Sequence, residues 1–128
     1  MLVDRAGKVP LEAENGLFRD RDMTAHAERL LATAASKKYQ PAQLMECTMY
    51  TSAEPCAICA GAAYWVGIGR AVYGLSETRL KQITVSHEEK LTLDLPCRVV
   101  FVAGQRKIGV VGPLLEDEAA EQRKGVWD

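Results

Sequence analysis

Two short stretches carry residues whose types and spacing suit a metal. In Pro55-Cys56-Ala57-Ile58-Cys59 the two thiols stand three positions apart behind a proline. Proline suits the first position of a helix, because it has no N–H to leave unbonded and its φ is already helical. Both thiols then share one face of that first turn, where the positive end of the helix dipole favours thiolate. The second stretch, Thr24-Ala25-His26-Ala27-Glu28, repeats the geometry, with Thr24 expected as N-cap. In mid-helix, positions two apart diverge by about 200°. At a helix start both side chains reach past the end, so His26 can bind a metal with Glu28 beside it. Two thiolates and one imidazole leave a fourth position open, the pattern of catalytic zinc, whereas structural zinc is closed by four protein ligands.

The elements that must position these residues read as strands alternating with helices. Met1 to Arg5 is expected as a strand, 6–8 as a turn, and Val9, Leu11 and Ala13 as the buried face of a second strand, with Pro10 placing it at an edge or bulge. Asn15-Gly16 ends it, and a charged loop leads into a helix running to about Lys38. That helix should bury Ala27, Leu30, Leu31, Ala34 and Ala35. Pro41 stops it, and 45–51 is a strand delivering the chain to the cysteines. The helix after Pro55 ends at 67–69, and 70–75 is another strand. Short helices are expected over 77–83, from 94–96 to Gly104, and from Glu116 to Lys124, with a strand over 108–111. The alternation implies an α/β fold, a three-layer α-β-α sandwich.

Composition narrows the function classes. A chain of 128 residues fits one domain, with 48% hydrophobic and 26% charged residues. Sixteen basic against seventeen acidic residues leave a net charge of −1, which gives no electrostatic reason to bind nucleic acid. No apolar run reaches the ~20 residues that span a bilayer, and no signal peptide is visible. A cytoplasmic location with no membrane partner is the expectation, and two of the four cysteines at metal spacing then favour zinc over disulfides. Cys47 and Cys97 read as buried small hydrophobes, and His87 as a surface residue.

His26-x-Glu28 followed by Pro55-Cys56-x-x-Cys59 resembles the signature of the zinc-dependent cytidine/nucleobase deaminases. Within that superfamily the chain is most similar to bacterial guanine deaminases and related nucleoside deaminases, through residues 24–28, 50–62 and the pair Tyr64-Trp65. The tRNA adenosine deaminases are similar over the same region, and the likeness runs from about Leu2 to Ser76. The resemblance implies a mixed central sheet of about five strands. The family's N-terminal helix and the start of its first strand are missing, so 1–128 is expected as one N-terminally truncated deaminase domain.

The chemistry implied is hydrolytic deamination, with Zn2+ on His26, Cys56 and Cys59 lowering the pKa of a bound water toward ~7 and Glu28 as proton shuttle. A structural zinc, or two core thiols beside a solvated Glu28, is the alternative. Asn15 matches the family's substrate-binding Asn, although Asn-Gly is also a turn dipeptide. Ala27 and Trp127 are the other implied substrate contacts, Trp127 through a closing C-terminal segment or else in a frayed tail. Tyr64 and Trp65 fit core or interface as well as substrate. Asp22 positions the entry to the His26 helix or is a solvated loop charge. The expected substrate is a small nucleobase or nucleoside, guanine first, acted on by a homodimer. A tRNA adenosine deaminase and a catalytically dead deaminase-like zinc module are the other readings.

Overall fold

A computed structural model describes residues 1–76, 78–79, 93, 95–114 and 117. Among these residues the sheet has four strands in the order β1-β2-β3-β4: Leu2–Val3, Thr48–Ala53, Arg70–Leu75 and Gly109–Val111. β1 runs antiparallel to β2, pairing Leu2 with Met49, while β2, β3 and β4 are mutually parallel. Parallel neighbours need a crossover, and the helix α3 (Ala57–Val66) supplies the one between β2 and β3. β3 reads as an almost unbroken apolar run because it is flanked by strands on both edges, with Ala71, Val72, Tyr73 and Leu75 all buried. This mixed sheet with flanking helices is the α/β arrangement expected.

The expected strand over Val9, Leu11 and Ala13 is reduced to one antiparallel bridge, Leu2 with Leu11. Pro10 has no N–H with which to extend a ladder. Leu11 and Ala13 still pack on the core, while Val9 is exposed. The strand before the cysteines begins at Thr48 and not at Met45, because Pro41 does more than stop a helix. It opens a further one, α2 (Pro41–Leu44), with Gln40 and Gln43 bonded reciprocally as a capping box and Met45 as its C-cap.

The core joins one sheet face (Leu2, Met49, Ala71, Tyr73) to helices. From α1 (Ala27–Lys38) come Leu31 and Ala35, from α3 Ala60 and Ala63, and from α4 (Cys97–Val102) Cys97 and Phe101. Ala60 and Ala63 are therefore spent inside the subunit, while Gly61 and Ala62 are half-buried. In α1 the buried stripe is Leu31, Ala32 and Ala35, so Ala34, expected inside, is exposed, and Leu30 and Ala27 are half-buried. Gly67 ends α3 at φ 109°, a left-handed conformation that side chains resist, with Pro41 backbone 3.0 Å from where a Cβ would sit. α4 is the helix expected before Gly104. The helices expected over 77–83 and 116–124 lie outside the described residues except at 78–79 and 117, and His87 and Trp127 lie outside them entirely.

Candidate metal centre

The two chemistry-bearing stretches meet where α1 and α3 begin. Thr24, expected as N-cap of α1, is not the cap: His26 is, with its carbonyl accepting from Leu30 N at 3.0 Å. Thr24 instead binds Asp22, whose Oδ1 accepts from Thr24 N at 2.9 Å and Thr24 Oγ1 at 2.7 Å. Those bonds hold the Asp22 carboxyl below its usual range. Arg29 closes the loop, donating to Thr24 O at 2.6 Å and to Asp22 Oδ2 at 3.3 Å. Asp22 thus positions the turn that delivers His26.

On α3, Pro55 sits just ahead of the cap and not at the first helical position, and Cys56 is the N-cap, its carbonyl accepting from Ala60 N at 2.8 Å. An N-cap side chain ordinarily bonds a backbone N–H of the first turn. Neither His26 nor Cys56 does so, which leaves both side chains available. Cys59 is then at the third helical position, the one whose side chain meets an N-cap side chain in a capping box.

The three ligand atoms converge. His26 Nδ1 lies 3.4 Å from Cys56 Sγ and 3.4 Å from Cys59 Sγ, and the two sulfurs are 3.7 Å apart. Tetrahedral zinc with Zn–S of about 2.3 Å and Zn–N of about 2.0–2.1 Å requires S···S of about 3.8 Å and N···S of about 3.5 Å. The residues fit the ion. Electrostatics agree, since the adjacent Cys59 thiol, and then His26, push the Cys56 thiol down to about 5, while Cys59 is pushed up beside the Cys56 thiolate. One proton leaves the pair easily and the second does not. A divalent cation is what allows both sulfurs to ionise.

Glu28, half-buried at the second position of α1, lies close enough to Cys59 to raise its thiol by charge and by hydrogen bonding. Ala27 is half-buried beside it. Asn15 is exposed, in a loop tied to the same place by Gly16 N donating to Ala25 O at 2.8 Å. Tyr64 and Trp65 stand at the other end of α3, about 12 Å along the axis from Cys56 at 1.5 Å per residue. Tyr64 Oη accepts from Gln105 N at 3.0 Å and Trp65 is 82% exposed, so neither lines the centre. Cys47 and Cys97 are buried, as expected, and outside the cluster. Among the described residues near the centre, sequence reasoning passed over Arg29 and also Glu54, which is buried although charged and two positions before Cys56. For Glu54, its place before a proline was the only signal.

Residues 1–75 match the family described as the cytidine and deoxycytidylate deaminase zinc-binding region. The chain belongs to this family. A Schizosaccharomyces pombe protein named "Probable cytosine deaminase" is 40% identical over 128 residues, all of this chain and 77% of that one. Guanine deaminase of Bacillus subtilis is 35% identical over 77 residues, 60% of this chain and 49% of that one, so the match spans about half of its length. The solved guanine deaminase of Nitrosomonas europaea superposes with a TM-score of 0.65 at 28% identity, covering 85% of this chain and 60% of that one. The protein is thus a zinc-dependent hydrolase of the deaminase family, and His26, Cys56 and Cys59 are positioned to hold its zinc.

Proposed function

We propose that this chain is one deaminase domain that hydrolyses the exocyclic amino group of a small nucleobase or nucleoside and releases ammonia. The observation that carries the reading is the convergence of the His26, Cys56 and Cys59 ligand atoms, with half-buried Glu28 two positions beyond His26 at the start of α1. Zinc on His26, Cys56 and Cys59, when bound, makes a water ligand acidic enough to act as nucleophile near neutral pH. Glu28 would accept a proton from the attacking water and pass it to the ring nitrogen beside the amino-bearing carbon. The water oxygen would bond to that carbon, the bond to its exocyclic nitrogen would break, and Glu28 would relay the proton of the added hydroxyl to the departing amine. Water and substrate thereby yield a carbonyl compound and ammonia. Asn15 reads a polar edge of the ring with an amide that both donates and accepts, and the ring packs over Ala27.

A cytosine-type base is supported by 40% identity along the entire chain to the fission-yeast protein. Guanine, expected from the motif likeness, is supported by the fold match to the Nitrosomonas enzyme. Its other support, the Tyr64-Trp65 pair, lies away from the centre. A net charge of −1 weighs against folded tRNA. A cytoplasmic homodimer completes the proposal; no helix among the described residues is long and apolar enough to cross a membrane. Ammonia release from cytosine, guanine, cytidine, guanosine and an anticodon stem-loop RNA tests it. Turnover of a free base or nucleoside is expected. Turnover of the stem-loop alone would make it a tRNA deaminase, and bound zinc with no ammonia from any substrate would make it a deaminase-like zinc module.

A further inference from the structure

We propose that Glu54 is a positioning residue of the metal centre: its buried carboxylate, bonded to the Cys97 amide at the start of α4, fixes the elbow from which Cys56 and Cys59 reach the ion. Glu54 is 6% exposed, the one charged side chain among the described residues buried that deeply. A carboxylate in such a place is costly unless hydrogen-bonded. Its Oε2 accepts from Cys97 N, across 43 residues of chain. The contact extends to the Cys97 side chain: burial first, and the Glu54 charge second, push that thiol up to about 12.

The main chain of the same residue is also fastened, with Glu54 N donating to Leu75 O at 2.6 Å at the end of β3. Residue 54 is therefore held to β3 by its backbone and to α4 by its side chain. Between it and Cys56 stands only Pro55, fully buried and fixed in φ. Little slack remains for the first sulfur to drift. α4 in turn lacks a cap of its own, because its N-cap is Pro96, whose side chain makes no bond. A buried charge is poor value as a stabiliser, since an apolar residue of similar size often serves as well. Directional anchoring of the elbow is what a carboxylate adds.

The test reads metal, not turnover, and so is independent of the substrate assignment. Zinc affinity, the absorption spectrum of the cobalt(II)-loaded chain and the melting temperature are measured together. Glu54→Ala should weaken zinc by about ten-fold or more, the range typical of lost outer-shell support, and shift the cobalt–thiolate bands. Glu54→Gln keeps an acceptor for Cys97 N and should stay within about three-fold of the parent. Cys97→Pro removes the N–H at the first helical position, where proline is tolerated. Pro96, at φ −58° and ψ 140°, already has the backbone of a residue before proline. This variant should reproduce the affinity loss, and it decides the matter if Glu54→Ala does not fold. Unchanged zinc affinity and cobalt spectra in Glu54→Ala or Cys97→Pro, with only the melting temperature lowered, would overturn the proposal and leave Glu54 a packing residue.

Discussion

The two ends of α3 are built on opposite principles. At the start, Cys56 and Cys59 face His26 with ligand atoms that spend no bond on capping either helix. At the finish, carbonyls of the last turn are met by local donors. Arg106 donates to Ile68 O at 2.8 Å, Ala63 O at 3.2 Å and Tyr64 O at 2.6 Å, adding a cation and further hydrogen bonds to last-turn carbonyls that also accept from Gly67 N. The Arg106 guanidinium also stacks 5.0 Å from the centre of the Tyr64 ring. Tyr64 itself leans on Gly104, where a Cβ would come 2.3 Å from Tyr64 Cε2. Satisfied polar groups mark the end that stabilises. Convergent donors without a structural task mark the end that reacts.

The difference breaks most visibly at Glu28. Glu28→Gln keeps shape and polar capacity but removes the proton carrier, so zinc content and fold should persist while kcat falls by ~10²–10⁴. Activity within a few-fold of the parent would show that Glu28 is not the shuttle. Thiol labelling sharpens the same contrast. In metal-free protein at pH 7 the Cys56 thiol, held down to about 5, is mostly thiolate, whereas the Cys47 and Cys97 thiols are raised by burial. Cys56 should be alkylated at least roughly ten-fold faster than Cys47 or Cys97, be shielded by zinc, and lose its lead as pH falls through about 5. Equal labelling of Cys56, Cys47 and Cys97, followed by mass spectrometry, would contradict the electrostatic account.

The opposite end predicts a different phenotype. Arg106→Ala removes the charged side-chain donor from the last carbonyls of α3, leaving only their backbone donors, and should cost about 1–3 kcal/mol of stability, read by denaturant unfolding, with zinc affinity unchanged. Arg106→Lys should recover part of this, since an ammonium restores charge but not the fork of donors. Weaker zinc in Arg106→Ala would mean that the two ends are coupled along the helix.

How much of this was legible in the sequence follows the same division. The centre was readable because its geometry is local: a cap position and a first turn can be counted off residue by residue, although the caps proved to be His26 and Cys56, with Thr24 and Pro55 upstream. β3 matched its expected bounds of Arg70 and Leu75, since an apolar run that follows Gly69 and is buried on both faces leaves little choice. The strand over Val9 to Ala13 failed because alternation reports a buried face and not a hydrogen-bonded ladder, and Pro10 interrupts the latter. Glu54 was invisible because its partner, Cys97, is distant in the chain. Tyr64 and Trp65 look alike in sequence, yet Tyr64 is clamped onto the turn at Gly104 while Trp65 faces outward.

Trp65 gives the smallest expected effect on the fold and the sharpest on assembly. It is 82% exposed, and Ile58, seven positions earlier and hence on the same side of α3, is 44% exposed. Two large apolar side chains on one helical stripe are the surface available to a second copy if the proposed homodimer uses α3. Trp65→Ser removes nothing from the core, so monomer stability should change by no more than about 0.5 kcal/mol and zinc content should not change. Light scattering and sedimentation should find the parent a dimer at micromolar concentration and Trp65→Ser shifted toward monomer. A monomeric parent would remove the homodimer from the proposal. A Trp65→Ser protein that remains fully dimeric would move the interface to another face and leave Trp65 without an assigned role.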